Sequence, residues 1–415
     1  MLPRPAEECP MATSEMSDLR QFPVIRTCPY TPPTEYRELA RDEPIARVGL
    51  PDGGWAWAVS RHEHVRQVLN DPSFSADRSH PDFPSQAPAG QKPQRLDEAD
   101  RTILTMDPPE HGPARRAVLG EFTVRRINAL VPEIQRIVDE QIDQLLAGPQ
   151  PADLVETLSL PVPSRVICAM LGVPYADHPF FQVNTAAMIK RDTPMPERRE
   201  AFDRIRGYMS DLIATKEADP PDDLLGRQIR QRRAEGAYDR RSLAALGFLL
   251  LVAGHETTAN MISLGTLKLL DDPEQHAKLR ADPERTAGAV EEMLRYFTIA
   301  DSAVARLATA DTTVGDVTIR AGEGVLLLGL VANRDPDVFP DPDAFDVERP
   351  ARHHLAFGFG PHQCLGQNLA RVELRVVFDA LLRRVPTLRL AAGVADLPIK
   401  SDASIFGLYQ LPVAW

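Results

Sequence analysis

Phe357-Gly358-Phe359-Gly360-Pro361-His362-Gln363-Cys364-Leu365-Gly366-Gln367-Asn368-Leu369-Ala370-Arg371 is the most informative stretch of the chain. Its glycines and proline describe a tight turn whose backbone must approach something flat, and the run from Leu365 onward reads as a helix. A cysteine at a helix N-terminus feels the positive end of the dipole and nearby backbone N–H groups, which favour thiolate. A thiolate so placed is a strong, electron-donating metal ligand. The plainer alternative is a free cysteine beside a glycine-rich turn. For an isolated cysteine that would be the better reading, since free cysteines are usually small buried apolar residues.

Upstream, from Arg241 to Leu270, the chain carries SLAALGFLLLVAGHETTANMISLGTLKLL and stops before Asp271-Asp272-Pro273. As one helix this would run on the order of 45 Å. It is apolar almost all round, so it should cross the interior. In its centre stand Ala253-Gly254-His255-Glu256-Thr257-Thr258. Glycine costs about 1 kcal/mol against alanine within a helix, and an ionised glutamate is costly in a core. A kink with close packing at Gly254 and one threonine bonded back to a carbonyl would explain part of this. It leaves the acid unexplained.

At every fixed position the cysteine segment resembles the haem-binding signature of cytochromes P450, FGxGxHxCLGxxLAR. Ala253–Thr257 resembles the oxygen-activation motif of the same family, (A/G)Gx(D/E)T, beside an opened helical turn. The resemblance implies a mainly α fold with small β-sheets (α+β), a single interlocked domain with a long central helix over the haem. The cofactor would be haem b, iron protoporphyrin IX. Cys364 would be its axial ligand and Phe357 a neighbour, the thiolate favouring O–O cleavage. Ala253 and Gly254 would border the space for dioxygen, Thr257 would face it, and Glu256 would feed protons inward. Heterolytic cleavage requires two protons in an otherwise dry pocket.

Glu292 and Arg295 stand at i, i+3 on one side of a helix, an arrangement common on surfaces. By resemblance, they join Arg349 of the Pro-rich loop 336–350 in a buried triad that locks the cysteine loop. Haem propionates need cationic or hydrogen-bonding partners. His111 and Arg115 resemble the helix-start motif that supplies them, although Gly112-Pro113-Ala114 departs from the commoner Thr-Arg-Leu filling. Arg306 and His362 complete the set by resemblance; singly, each is more often a solvated charge. Family geometry lines the substrate pocket with Leu250, Val252, Ile299, Ala300, Ile405 and Phe406, together with the 79–100 loop and the 180–192 helix. Apolar side chains with a few charges, Arg191 and Asp301, fit a mid-sized, largely apolar organic molecule carrying polar groups.

The net charge of −12 argues against nucleic acid and against an anionic membrane as main partner. The four cysteines stand far apart at 9, 28, 168 and 364, which suggests neither a disulfide framework nor a zinc ribbon nor an Fe–S domain. Electrons would therefore come from NAD(P)H through a separate ferredoxin and ferredoxin reductase. The ferredoxin would dock where Arg116, Arg125, Arg352, Arg371 and Arg375 attract an acidic surface. A reducing cytoplasm is the expected home, and a monomer the expected state. Residues 1–25 read as a poorly ordered extension ahead of a haem domain at 26–415. Ala46–Leu50 and Ala56–Ser60 flank a hairpin turn, helices dominate from Val124 to Tyr296, and strands return at Thr313–Ile319, Gly324–Leu330 and the C-terminus.

The function expected from these features is insertion of one oxygen atom from O2 into a secondary metabolite or xenobiotic. Two alternatives stand beside it. A nitric-oxide-reductase or peroxide-using haem-thiolate enzyme would tend to lose the acid–alcohol pair. A non-enzymatic haem-based ligand-binding protein would lack the relay or carry an output domain.

Overall fold

The computed structural model describes residues 19–86, 101–300 and 304–415. Its helices are α1 Thr34–Asp42, α2 His62–Asn70, α3 His111–Leu119, α4 Val124–Ala129, α5 Val131–Ala147, α6 Pro161–Leu171 and α7 His178–Ile189. They continue with α8 Met195–Lys216, α9 Leu224–Ala234, α10 Arg240–Asp271, α11 Pro273–Ala281, α12 Thr286–Phe297, α13 Gly329–Ala332 and α14 Gln367–Arg384.

α10 is the apolar helix expected from the sequence. Asp239 caps its start by accepting from the Ser242 amide at 2.8 Å. Asp272 ends it and caps α11, whose first residue is Pro273. By length and hydropathy α10 could cross a membrane, but α6, α8 and α14 cover its apolar sides instead. A Cβ on Gly265 would lie 2.6 Å from Phe378 of α14 and 2.8 Å from Met293 of α12. Glycine there sets how closely the three helices approach.

A five-stranded sheet gathers distant parts of the chain in the order β1-β2-β8-β5-β3. Its strands are β1 Ile45–Gly49, β2 Trp55–Val59, β3 Phe74–Ser75, β5 Ala305–Ala308 and β8 Gly324–Leu327. β1 and β2 form the expected antiparallel hairpin, Ile45 opposite Val59. Gly53 takes φ +86 in its turn, and Asp52 accepts from the Gly54 amide at 3.0 Å. β2 then runs parallel to β8, Trp57 opposite Val325, so the two halves of the sequence share one sheet.

Thr313–Ile319 divides into a small hairpin of its own, β6 Thr312–Val314 and β7 Val317–Ile319, turning at Gly315 with φ +55. β4 Ala152–Asp153, β10 Pro412–Ala414 and β9 Arg389–Leu390 form the third sheet. Two expected strands are shorter than their apolar runs. β8 stops at Leu327, and Gly329–Ala332 turns helical instead. Of the C-terminal stretch only Pro412–Ala414 is a strand; Leu408 makes an isolated bridge with Ile399, and Phe406, Leu408 and Leu411 are buried mainly against the helical core.

Residues 336–350 form the expected irregular loop. Residues 87–100 and 301–303, which include part of the expected pocket loop and Asp301, lie outside the described residues. So do residues 1–18 of the expected extension. Its last part is not loose: the Phe22 amide donates to Gly49 O at 2.9 Å, and the Phe22 ring stacks on Tyr36 at 5.3 Å. The boundary placed at residue 25 thus falls inside a tied-down segment.

Candidate haem site

The cysteine loop is closed on itself. The Cys364 amide donates to Phe357 O at 2.8 Å, and Gly358 and Gly360 take φ +68 and +70. A Cβ on Gly360 would meet Leu69 O at 2.8 Å, so only glycine lets the loop pass the end of α2. On α12, Glu292 and Arg295 are both 0% exposed. Arg295 donates to the Glu292 carboxylate at 2.6 and 2.8 Å, and to the carbonyls of Asn333, Pro342 and Ala344. Arg349 donates to the same carboxylate at 3.2 Å. The three residues meet, and every charge has partners, which is what a buried ion cluster requires.

Beside this triad stands a second one that sequence reading missed. Glu291 accepts from Arg371 at 2.6 Å and contacts His354 Nε2 at 3.1 Å. These two partners outweigh burial and hold its carboxyl down at about 2. The Arg371 guanidinium lies 4.6 Å over the Phe357 ring. Glu291 adjoins the Glu292 motif and Arg371 ends the cysteine motif, so a search for charges flanking both could have found the pair.

Cys364 is accessible, yet surrounded densely enough that burial raises its thiol pKa. Both hold only if the sulfur faces an enclosed cleft. The expected push toward thiolate is present but smaller: the N–H groups of Gly366 and Gln367 and the charges of Arg115 and Arg371 only partly offset burial. α14 begins at Gln367 rather than at Leu365. Metal coordination deprotonates a thiol outright.

At the rim, His111 and His362 stack with ring centroids 4.1 Å apart, and His111 Nε2 and His362 Nδ1 are buried with no hydrogen-bond partner. α3 starts at His111 despite Gly112-Pro113, and Arg115 on its next turn reaches Gln363 O of the cysteine loop. Burial lowers Arg306 to about 10, with the nearby charge of Arg78 adding to the effect. Arg78 is itself desolvated, which lowers its pKa, and its charge acts on Arg306. Buried imidazole nitrogens without partners, with Arg115 and Arg306 close by and a thiol beside them, suit a flat metal macrocycle with acidic edges. The residues fit haem: Cys364 would bind its iron, and His111, Arg115, Arg306 and His362 would bind its propionates.

Across the cleft, α10 runs unbroken through 253–258, without the expected opened turn. Ala253 is its exposed residue there. Gly254 has a packing reason instead, since a Cβ would lie 3.0 Å from Ile167 of α6. The Thr257 hydroxyl donates to Ala253 O at 2.7 Å, leaving its lone pairs free to accept. Glu256 is ion-paired with Lys400, which also donates to Asn260 Oδ1 at 3.0 Å. Burial raises the Glu256 pKa, but Lys400 chiefly, with His255 and Asn260, lowers it overall, so the side chain is a carboxylate at neutral pH. Lys400 is too remote in sequence for motif spacing to reveal. Among the expected pocket residues, Val252, Ala300 and Ile405 are half-buried, while Leu250, Ile299 and Phe406 are buried. Phe406 lies under the Arg26 guanidinium at 3.8 Å.

The cytochrome P450 family model matches residues 55–388. The vitamin D3 dihydroxylase of Streptomyces griseolus is 47% identical over 405 residues, 97% of this chain and 98% of its own. Among solved structures, cytochrome P450 MoxA from Nonomuraea recticatena (CYP105) is 54% identical, with 95% of this chain and 98% of that one covered and a TM-score of 0.87. CYP105P1 in complex with filipin I is 41% identical, with 96% and 99% covered and a TM-score of 0.90. A cysteine loop tied to a buried ion pair, unpartnered imidazole nitrogens beside it and an acid–alcohol pair on the central helix thus agree with these likenesses, and the chain belongs to the CYP105 branch of the cytochrome P450 family, as a haem monooxygenase.

Proposed function

We propose that this monooxygenase hydroxylates mid-sized, largely apolar organic molecules that carry polar groups, either secondary metabolites or xenobiotics. The observation that carries this reading is the complete Glu256–Thr257 pair beside Ala253 on the cleft face of α10. Haem, when bound, supplies oxygen activation. Thr257, its proton engaged by Ala253 O, presents an acceptor to the cleft. Glu256, one residue away, takes protons from the outside and passes them inward. Relatives named for vitamin D3 or solved with filipin I handle molecules of this size and polarity.

Electrons would arrive from NAD(P)H by way of a separate ferredoxin and its reductase, in a reducing cytoplasm, to a monomer whose haem domain takes in the segment anchored at Phe22 as well as 26–415. Arg116, Arg125, Arg352 and Arg375 are exposed and available to an acidic partner. Arg371 is committed to Glu291 and Gln367 and drops out of the expected docking set.

Thr257→Ala tests the reading. Once a compound is found that displaces iron-bound water spectroscopically and is turned over, the variant should keep consuming NAD(P)H while product per reductant falls about tenfold or more. Unchanged coupling would contradict the assigned relay.

A further inference from the structure

The turn that carries Lys400 also grips the connection between α7 and α8. At one end, Lys400 is buried against Glu256 and Asn260, and its amide donates to Gly407 O at 2.9 Å. A Cβ on Gly407 would meet Asn260 Oδ1 at 2.1 Å, so glycine is what lets Asn260 sit between the turn and Glu256. At the other end, Lys190 forms a β-bridge with Ala403. The Arg191 amide donates to Asp402 O at 2.7 Å, and the Ser404 amide donates to Ile189 O at 3.1 Å. Tyr409 spans both ends: its ring centroid is 5.6 Å from Lys400 Nζ and 5.4 Å from Lys190 Nζ, and its hydroxyl donates to Asp402 at 2.7 Å.

We propose that Lys400 is a positioning residue that holds Glu256 ionised and in place only while this turn is bridged to residues 189–191, so that one contact sets both closure over the cleft and the acid's readiness to relay protons. The proposal rests on the relay reading above. The groups acting on Glu256 are Lys400 from the turn, His255 and Asn260 from its own helix, and Tyr409, itself held by Asp402 and close to Asp192 of the loop. Lys400 is the cation paired with it. While paired, Glu256 is a carboxylate. Freed from the ammonium, it takes up one proton from the solvent side, and giving that proton inward returns it to carboxylate, so its own proton count closes over a cycle. Linkage is reciprocal: if the bridge favours the ion pair, losing the pair must loosen the bridge by the same factor.

The test uses the haem-loaded full chain, with the spectrum of its reduced carbon monoxide complex confirming folding in each variant. Infrared difference spectroscopy reads Glu256 protonation, with Glu256→Gln assigning the band. Amide hydrogen exchange reads the bridge at Arg191 and Ser404. Lys400→Gln should produce a protonated-acid band at neutral pH and raise exchange at Arg191 at least tenfold, and Lys400→Arg should restore both. Ser404→Pro, which removes one bridge donor and leaves Lys400 in place, should also raise the protonated fraction. An ionised Glu256 in Lys400→Gln would overturn the proposal. So would a loosened bridge in Ser404→Pro with Glu256 unchanged. If Glu256→Gln left coupling unaltered, the relay reading would fall, while the infrared and exchange results would still decide the role of Lys400.

Discussion

On the cysteine side of the cleft, Glu292 and Arg295 are fully buried and bonded to three backbone carbonyls besides each other, with Arg349 closing the cluster. On the opposite side, the loop between α7 and α8 is held to the C-terminal turn by a β-bridge and backbone hydrogen bonds among half-buried residues. Losing one member of a buried charge cluster strands the others, so that side tolerates one arrangement. Backbone bridges at a half-exposed loop open at lower cost, and the buried charge pair beside them, Lys400–Glu256, is the contact proposed above to loosen with them. The cysteine side is thus held by many more bonds to each charge than the loop side, and the contrast predicts a fixed cofactor side and a more readily opened loop. This suits a protein whose cofactor chemistry is constant while its ligands must enter and leave.

The contrast is sharpest at the cysteine itself. Cys364→Ser should abolish the red-shifted carbon monoxide spectrum of the reduced protein completely, and retention of that spectrum would remove the metal-ligand assignment. Next in size, Arg295→Ala should cost roughly 3–5 kcal/mol in denaturant unfolding, because it leaves the Glu292 charge buried. A loss below about 1 kcal/mol would mean that the two sides of the cleft do not differ as described.

Acid should act on the fixed side as well. Glu291 is held at about 2 in the folded protein, below its ordinary value of 4.5, so its contribution is present above pH 4.5 and is lost as pH falls toward 2. That contribution is on the order of 3 kcal/mol, and Glu291→Gln should flatten this limb of a stability–pH profile measured by unfolding. The smallest effect is expected at the surface. Replacing Arg116 and Arg352 together by glutamine should slow reduction by a ferredoxin severalfold at low salt and less at high salt, with the equilibrium spectrum unchanged. Equal rates at low salt would remove the docking face.

The parts legible in the sequence were those that local spacing encodes. The glycine pattern around Cys364, the apolar run of α10 with its acid and alcohol, and the hairpin at Asp52-Gly53 each hold their information within a few residues. Contacts between remote segments were not legible. Lys400 reaches Glu256 across the fold, and Gly254 is glycine because of Ile167 on another helix. The C-terminal stretch reads as strand from its apolar residues, yet most of it is buried by packing into the helical core, a distinction that periodicity over a short run does not make.

The parallel pairing of Trp57 with Val325 also bears on how the chain is made. β2 leaves the ribosome early, and its partner β8 follows only after most of the polypeptide has been synthesised. At about 5–20 residues per second the wait is roughly 13–54 s. Throughout it the Trp55–Val59 edge stands unpaired, a template for another nascent chain. Slower translation or a missing chaperone should therefore harm the yield of this protein before it harms the stability of the finished molecule.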